Sequence, residues 1–240
     1  MIIPGGPYRG AGGDPFFADV SLLLHFDGTN GQTTTVDSSG SPHAVVLTSA
    51  TLSTTQAAFG PSSLVVAAST SGQARVAATV SPPDNLQLGS NEWTVEFWIY
   101  PTGTGAAYAV NFAASNITSP FTAIYRPTGM EFEGFPAGGG SLLFDISTNG
   151  ALTLNAWSFI QARRRNGVLG NDVVEIAVNG VQQTAVATFT AGTALYQTNN
   201  VDVGGTGSVA FPVPGFVDEF RLTNGVARSF NLPTAPFPNF

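Results

Sequence analysis

Short runs in which apolar and polar residues alternate cover most of the chain, and this alternation is typical of β-strands with one buried face. The clearest runs are Trp93–Tyr100, Trp157–Arg163, Val173–Val181 and Gly215–Leu222. Within the third run, Asn179-Gly180 suits the positive φ angles of a type I′ turn and predicts a hairpin. No window combines a 3.6-residue apolar period with caps at both ends, so we expect little helix.

Further short strands are predicted between and before these runs. Nearly every gap holds Gly, Pro, Asn or a Ser/Thr cluster, which is the spacing of a sandwich or barrel. The additional predicted strands are Val20–Phe26, Ala44–Leu47, Ser63–Ala67, Arg75–Val80, Tyr108–Phe112, Phe121–Tyr125, Met130–Phe132 and Ser141–Ile146. The pattern therefore predicts an all-β, antiparallel sandwich.

The run Trp93–Tyr100 is rich in aromatic residues on both of its predicted faces. The two-residue period of a strand places Trp93 and Phe97 on one face and Trp98 and Tyr100 on the other. One face should form the core between two sheets. The other must be covered by loops, by a terminal arm or by a partner.

The two ends of the chain differ in composition from the middle. Residues 1–15 are rich in Gly and Pro, and residues 231–240 contain three Pro and two Phe. We interpret both as extended arms that flank a sandwich over 16–230, with ordinary frayed termini as the alternative. The residues expected to dock these arms onto another subunit are Pro4, Pro7, Tyr8, Pro236, Phe237 and Phe240.

Composition narrows the classes of function. The 240 residues are 43% hydrophobic, which supports a core of one domain, but only 10% are charged, compared with about 25% in an average soluble protein. All eight basic residues are Arg, and the net charge of −7 disfavours binding to nucleic acids. Cysteine is absent, which excludes disulfides and thiolate metal sites. We expect no membrane partner, because neither a signal-like start nor an apolar run of membrane length is present.

Several segments occur in an order that resembles a known family. They are Asp14–Gly31 (DPFFADVSLLLHFDGTNG), Asp37–Gly40 (DSSG), Thr54–Leu64 (TTQAAFGPSSL), Trp93–Ile99 (WTVEFWI), Gly215–Arg228 (GFVDEFRLTNGVAR) and Pro233–Pro238 (PTAPFP). Together they resemble phage-encoded proteins with laminin-G-like, concanavalin A-type jelly-roll domains.

This resemblance implies a jelly-roll sandwich and a non-enzymatic structural protein of a phage virion, as a capsid decoration, fibre or tail-associated protein. The implied partners are other virion proteins, in a homo-oligomer or multi-copy assembly, and the implied location is the virion surface. A carbohydrate-binding module that recognises bacterial surface polysaccharide is the alternative. Relatives often carry carboxylates at a calcium edge, but Val65–Ala74 contains none. We therefore expect no cofactor and no bound calcium.

Carbohydrate binding needs aromatic platforms together with amide or carboxylate groups. The residues that offer these groups are Trp98, Tyr100, Tyr108, Tyr125 and Asn111.

Catalysis has little support in the sequence. Glu131 and Glu133 would lie on one side of a strand, as the paired carboxylates of a glycosidase can. The Glu-x-Asp-x-x-Glu motif of such enzymes is not completed, and Gly134 and Pro136 follow the two glutamates. No Cys and no Gly-x-Ser-x-Gly motif supplies a nucleophile. We therefore expect no catalytic residues.

Three other polar groups are predicted to be structural. Asp218-Glu219 should accept hydrogen bonds from backbone amides or pair with an arginine. His25 lies in an apolar strand and should be a packed or hydrogen-bonded core residue. Arg163–Arg165 should form a solvated hairpin end with one ion pair directed inward, because successive strand residues alternate faces.

Overall fold

The computed structural model describes residues 13–67, 71–113, 118–207 and 211–240. Over these residues the chain forms two antiparallel sheets and a single 3₁₀ turn at Phe17–Asp19. The predicted all-β sandwich with scarce helix is confirmed. No helix in the described ranges is long and apolar enough to cross a membrane.

Fifteen strands build the two sheets. They are β1 Val20–Leu24, β2 Val45–Thr48, β3 Ala50–Ser53, β4 Ser63–Val66, β5 Gln73–Ala77, β6 Trp93–Pro101, β7 Ala107–Ala113, β8 Thr122–Arg126, β9 Gly129–Gly134, β10 Phe144–Ser147, β11 Ser158–Val168, β12 Asn171–Val178, β13 Val181–Thr190, β14 Asn200–Val203 and β15 Gly215–Asn224. The sequence pattern missed β3 and β14, which are four residues long and lie among Gly, Ser, Thr and Asn residues.

Sheet A has the order β13-β12-β11-β6-β15-β4-β3, and β1 also pairs with β15. Sheet B has the order β10-β9-β8-β7-β14-β5-β2. Many neighbouring strands are distant in sequence, such as β6 and β15, so the chain crosses repeatedly between the sheets. This antiparallel topology is a jelly roll.

The inner faces of the sheets form the main core. Trp93, Val95, Phe97 and Ile99 are fully buried in it, which confirms the predicted inner face of β6. The ring of Phe121 on the opposite sheet packs edge-on against Trp93, with ring centroids 5.2 Å apart. Side chains from both sheets therefore interdigitate in one apolar layer.

The β12–β13 connection is the predicted hairpin, with φ angles of 51° at Asn179 and 77° at Gly180. At the opposite end of β12, Arg164 on β11 is fully buried and its Nη2 lies 2.6 Å from Oδ2 of Asp172. Arg163 and Arg165 instead pair with Glu175 on the outer face. The predicted inward ion pair is confirmed.

The chain itself covers part of the outer face of sheet A. Residues 231–240, which we call the C-terminal segment, form neither strand nor helix, and the side chain of Phe237 lies against this face. Phe237 is 5% exposed and packs with Val20, Leu23 and Phe159 in a second, smaller apolar cluster. Its backbone N–H donates to Oε2 of Glu219 at 3.0 Å. The predicted docking of Phe237 onto another subunit therefore needs correction, because its ring is already buried in its own chain.

The beginning of the described chain is also part of the sandwich. Asp14 is 5% exposed, and its carboxylate pairs with Arg228 at 2.7 Å and Arg221 at 3.0 Å. Its N–H donates to the carbonyl oxygen of Phe240 at 2.6 Å. Burial alone would raise the pKa of Asp14, but the hydrogen bond and charge of Arg228 outweigh burial and lower this pKa. Asp14 is thus buried against the sandwich, and the domain boundary at residue 16 stays a prediction.

The remaining predicted arm residues have different positions. Pro236 and Phe240 are exposed on the C-terminal segment. Pro4, Pro7 and Tyr8 lie outside the described residues. Docking of the ends onto other subunits stays a prediction.

Candidate functional site

The five predicted carbohydrate-binding residues do not form one site. Trp98 and Tyr100 lie on the outer face of sheet A, and Tyr108 and Asn111 lie on the outer face of sheet B. Tyr125 points into the main core, where it is 2% exposed. A buried ring cannot stack on a sugar, so Tyr125 is removed from the candidate platforms.

Two of the other four residues are also occupied within the chain. Trp98 packs between Phe59 and Phe159, with ring centroids 5.6 and 5.3 Å away. Asn111 is 6% exposed, and its Oδ1 accepts hydrogen bonds from the hydroxyls of Ser119 and Thr122. Tyr100 and Tyr108 remain as partly exposed aromatic rings.

Tyr100 is the middle member of a row of three aromatic side chains. Its ring centroid lies 5.4 Å from that of Trp157 and 5.9 Å from that of Phe216. The strand register causes this alignment, because Tyr100 pairs with Phe216 and the adjacent pair Ile99 and Ser158 places Trp157 beside Tyr100. All three side chains are partly exposed. We call Trp157, Tyr100 and Phe216 the aromatic ladder.

A glycine fixes one end of the ladder. Gly215 has φ +150°, and a Cβ atom at this position would lie 2.0 Å from the carbonyl oxygen of Tyr100. Only glycine therefore lets β15 approach β6 closely enough to pair Phe216 with Tyr100.

Beyond Phe216 the ladder opens into a groove of about 490 Å³, a volume within the usual range for ligand sites. Its lining is mainly apolar and includes Val65, Thr102, Ala106, Phe211, Pro214 and Phe216. Phe211 is 52% exposed, and its ring centroid lies 6.5 Å from that of Tyr108. The groove therefore connects the ladder on sheet A with Tyr108 on sheet B.

The fold can be placed among known proteins. Residues 71–229 match the family model Laminin_G_3, described as the concanavalin A-like lectin/glucanases superfamily. The chain belongs to this superfamily. No curated protein sequence matches the chain.

Similar solved structures share the fold of this laminin-G-like chain at low sequence identity. Domain 4 of AbnA, a GH43 extracellular arabinanase from Geobacillus stearothermophilus solved in complex with arabinotriose, is 16% identical. Its TM-score is 0.57, over 88% of this chain and 94% of the other.

Two further structures are binding domains of clostridial toxins. The binding domain of Paraclostridial Mosquitocidal Protein 1 is 13% identical with a TM-score of 0.63, over 89% of this chain and 50% of the other. The botulinum neurotoxin serotype G binding domain is 13% identical with a TM-score of 0.61, over 87% of this chain and 48% of the other. The laminin-G-like chain thus spans about half the length of these toxin domains.

The outer face of sheet B carries a polar row in place of a ladder. The strand register aligns Asp145, Glu133, Thr122, Asn111, Asp202 and Arg75 from β10 to β5. Arg75 binds Asp202 with two hydrogen bonds of 2.7 Å. Asp202, Asn111 and Thr122 are buried, so the middle of the row mainly satisfies its own hydrogen bonds.

One end of this row holds three carboxylates. Glu131, Glu133 and Asp145 each place an oxygen within 4.8 Å of the other two. Burial and the charge of Asp145 raise the pKa of Glu133, while Arg126 pairs with Glu131. Sequence reasoning paired the two glutamates but missed Asp145, which only the β9–β10 register brings beside them. The absence of catalysis and of calcium stays a prediction.

Asp218, Glu219 and His25 have the structural roles that the sequence predicted. Asp218 is fully buried and accepts hydrogen bonds from the N–H groups of Ala58 and Phe59 and from that of Glu219. Burial raises the pKa of Asp218 to about 8. Glu219 pairs with Nδ1 of His25 at 2.8 Å, and neither carboxylate pairs with any of the seven arginines that the structure describes.

Proposed function

We propose that this laminin-G-like chain is a non-enzymatic glycan-binding module and that its contact surface is the aromatic ladder with the adjoining groove. The observation that carries this proposal is the row of three partly exposed rings, 5.4 and 5.9 Å apart, beside a groove of about 490 Å³. Sugar rings present apolar C–H faces and polar edges, so flat aromatic side chains are suitable stacking platforms for them.

The fold comparisons support the same class of function. The arabinanase domain, solved with arabinotriose, matches over nearly its whole length. The similar toxin structures are described as binding domains. Fold alone does not determine function, so the ladder residues carry the argument and the comparisons only favour it.

Binding to a glycan array, followed by calorimetry with the best ligand, tests the proposal. Tyr100→Leu and Phe216→Leu retain apolar bulk but lose the flat ring, so each variant should weaken binding about tenfold, or about 1.4 kcal/mol. Leu169→Ala is the control for an exposed apolar residue, since Leu169 is 98% exposed at the far end of β11. Unchanged affinity in both ladder variants would refute the ladder as the contact surface, and an array without any ligand would refute glycan binding.

We propose a role in virion assembly as the second candidate function. It is favoured by two exposed aromatic side chains close to the contact between Asp14 and Phe240, namely Phe240 at 74% and Phe16 at 39% exposure. Large exposed aromatic residues frequently form protein interfaces. Phe240→Ser should then reduce self-association measured by light scattering. Detection of the chain in purified phage particles by mass spectrometry tests the expected location at the virion surface.

A further inference from the structure

All arginines in the described part of the chain are already paired with carboxylates. Lysine is absent from the sequence, and of the eight arginines only Arg9 lies outside the described ranges. The seven others are Arg75, Arg126, Arg163, Arg164, Arg165, Arg221 and Arg228, and each has an Asp or Glu partner.

Three of these arginines are inaccessible as well as paired. Arg164, Arg221 and Arg228 have side chains that are 0%, 7% and 4% exposed. Arg221 and Arg228 share the buried carboxylate of Asp14. Withdrawing any of these cations would remove an ion-pair partner from a buried carboxylate, which is strongly unfavourable.

The more exposed arginines are also paired, including Arg126, whose side chain is 42% exposed and which binds Glu131. The side chain of Arg75 is 34% exposed but binds Asp202 through two nitrogens. Arg165 is 38% exposed and binds both oxygens of Glu175, which also accepts Arg163. A charged ligand would have to compete with these intramolecular pairs, which are preorganised.

The candidate contact surface carries no charge of its own. The ladder consists of Trp157, Tyr100 and Phe216, and the same cross-strand row continues through Val65 and Thr51. The groove lining described beside the ladder is likewise uncharged. The whole chain has a net charge of −7, so its long-range field repels anions.

From these observations we infer that the glycan bound by the ladder is a neutral polysaccharide, without carboxylate, sulfate or phosphate groups; this inference rests on the proposed glycan-binding function. An available guanidinium or ammonium group is the strongest partner for an anionic sugar, because it adds charge to the hydrogen bond. The described surface offers none near the ladder, and neutral sugar faces need only the rings.

Matched neutral and anionic polymers separate this inference from the proposed function. The probes are dextran against dextran sulfate and hydroxyethyl cellulose against carboxymethyl cellulose, together with the neutral and acidic members of a glycan array. Binding is measured at about 50 mM and about 300 mM NaCl, which shortens the Debye length from roughly 14 to 6 Å. We expect ligands only among neutral glycans, with affinities that change less than about twofold between the two salt concentrations.

The outcomes are distinct. Preferred binding of anionic glycans, with affinity that falls as salt rises, would overturn the inference but leave the proposed function intact. Binding to no glycan would overturn both. Neutral ligands with little salt dependence would support both.

A gain-of-function variant tests the location independently. Ala106 is exposed and lines the groove, so Ala106→Arg adds an unpaired cation beside the ladder. For a neutral polymer that the wild type binds, this variant should bind the anionic derivative about fivefold more tightly than the wild type does at low salt. The gain should disappear at high salt, where the charge is screened. Leu169→Arg adds the same charge at the far end of β11, roughly 30 Å away at about 3.3 Å per residue. Equal effects of the two variants would show that the ladder is not the binding surface.

Discussion

Removing the ring of Phe237 should release the C-terminal segment from the sandwich. Phe237 is 5% exposed in the smaller apolar cluster, and its ring lies 3.8 Å below the guanidinium carbon of Arg221. Phe237→Ala therefore removes a packed aromatic side chain and a cation–π contact together. The backbone bond to Glu219 and the contact between Asn239 and His25 depend on the same docking.

The expected loss is about 3 kcal/mol of unfolding free energy. Burial of a Phe side chain accounts for about 1.5–3 kcal/mol, and a desolvated cation–π contact for about 1–2 kcal/mol. Phe→Ala substitutions in a protein core typically cost about 3–5 kcal/mol. We expect a value at the lower end of this range, because the terminal segment can detach without opening the main core.

Urea unfolding followed by tryptophan fluorescence measures this loss, and limited proteolysis with mass spectrometry locates it. The variant should be cleaved within the C-terminal segment under conditions in which the wild type is intact. Phe240→Ala is the matched control, since this ring is 74% exposed and its removal should change stability by less than about 0.5 kcal/mol. If Phe237→Ala is as stable and as protease-resistant as this control, the segment is not held by its aromatic anchor and the reasoning fails.

Three further changes probe other parts of the fold. Arg164→Met leaves Asp172 buried without its cation and should lower the free energy of unfolding in urea by about 3–5 kcal/mol, and adding Asp172→Asn should restore part of this loss. A loss of less than about 1 kcal/mol would show that the buried ion pair does not stabilise the fold. Gly215→Ala should lower the free energy of unfolding by more than about 2 kcal/mol and weaken glycan binding, because the new Cβ would lie 2.0 Å from the carbonyl oxygen of Tyr100. Gly105→Ala is the control: its Cβ would have no neighbour within 4 Å, so it should leave the free energy of unfolding nearly unchanged. Burial alone would lower the pKa of His25, but the hydrogen bond and charge of its partner Glu219 raise this pKa. The His25–Glu219 pair therefore stabilises the folded state fully below about pH 6.5, and this stabilisation is lost as the pH rises through the raised pKa. Proteolysis of the C-terminal segment should accelerate as the pH rises above the raised pKa of His25 in the wild type, and His25→Gln should abolish this pH dependence. An unchanged dependence of the proteolysis rate on pH in the variant would exclude His25 as its source.

The sequence predicted the fold because local chemistry specifies strands and turns. Alternation in Trp93–Tyr100 identified the buried face correctly, since side chains of a strand point alternately to its two sides. Asn179-Gly180 identified a hairpin because few other pairs adopt positive φ angles so readily. The inward ion pair of Arg164 followed from the same alternation.

The sequence did not identify the aromatic ladder. Trp157, Tyr100 and Phe216 are separated by more than fifty residues from one another and meet only through the registers of β6 with β11 and β15. Cross-strand register depends on packing of both sheets, which no local pattern encodes. Sequence reasoning therefore named single aromatic residues, including the buried Tyr125, without knowing which of them share a surface.

The position of the C-terminal segment was likewise decided by tertiary structure. Composition alone described residues 231–240 as an extended Pro-rich arm, and the segment contains no strand or helix. Whether its aromatic residues lie on another subunit or on the same chain depends on a complementary surface. In this chain the outer face of sheet A supplies that surface through Phe159, Arg221 and Glu219. Phe237 is therefore buried against its own chain, while Phe240 remains exposed. Local preferences thus determined the strands, turns and fold class, while long-range packing determined which side chains became neighbours and which remained available for binding.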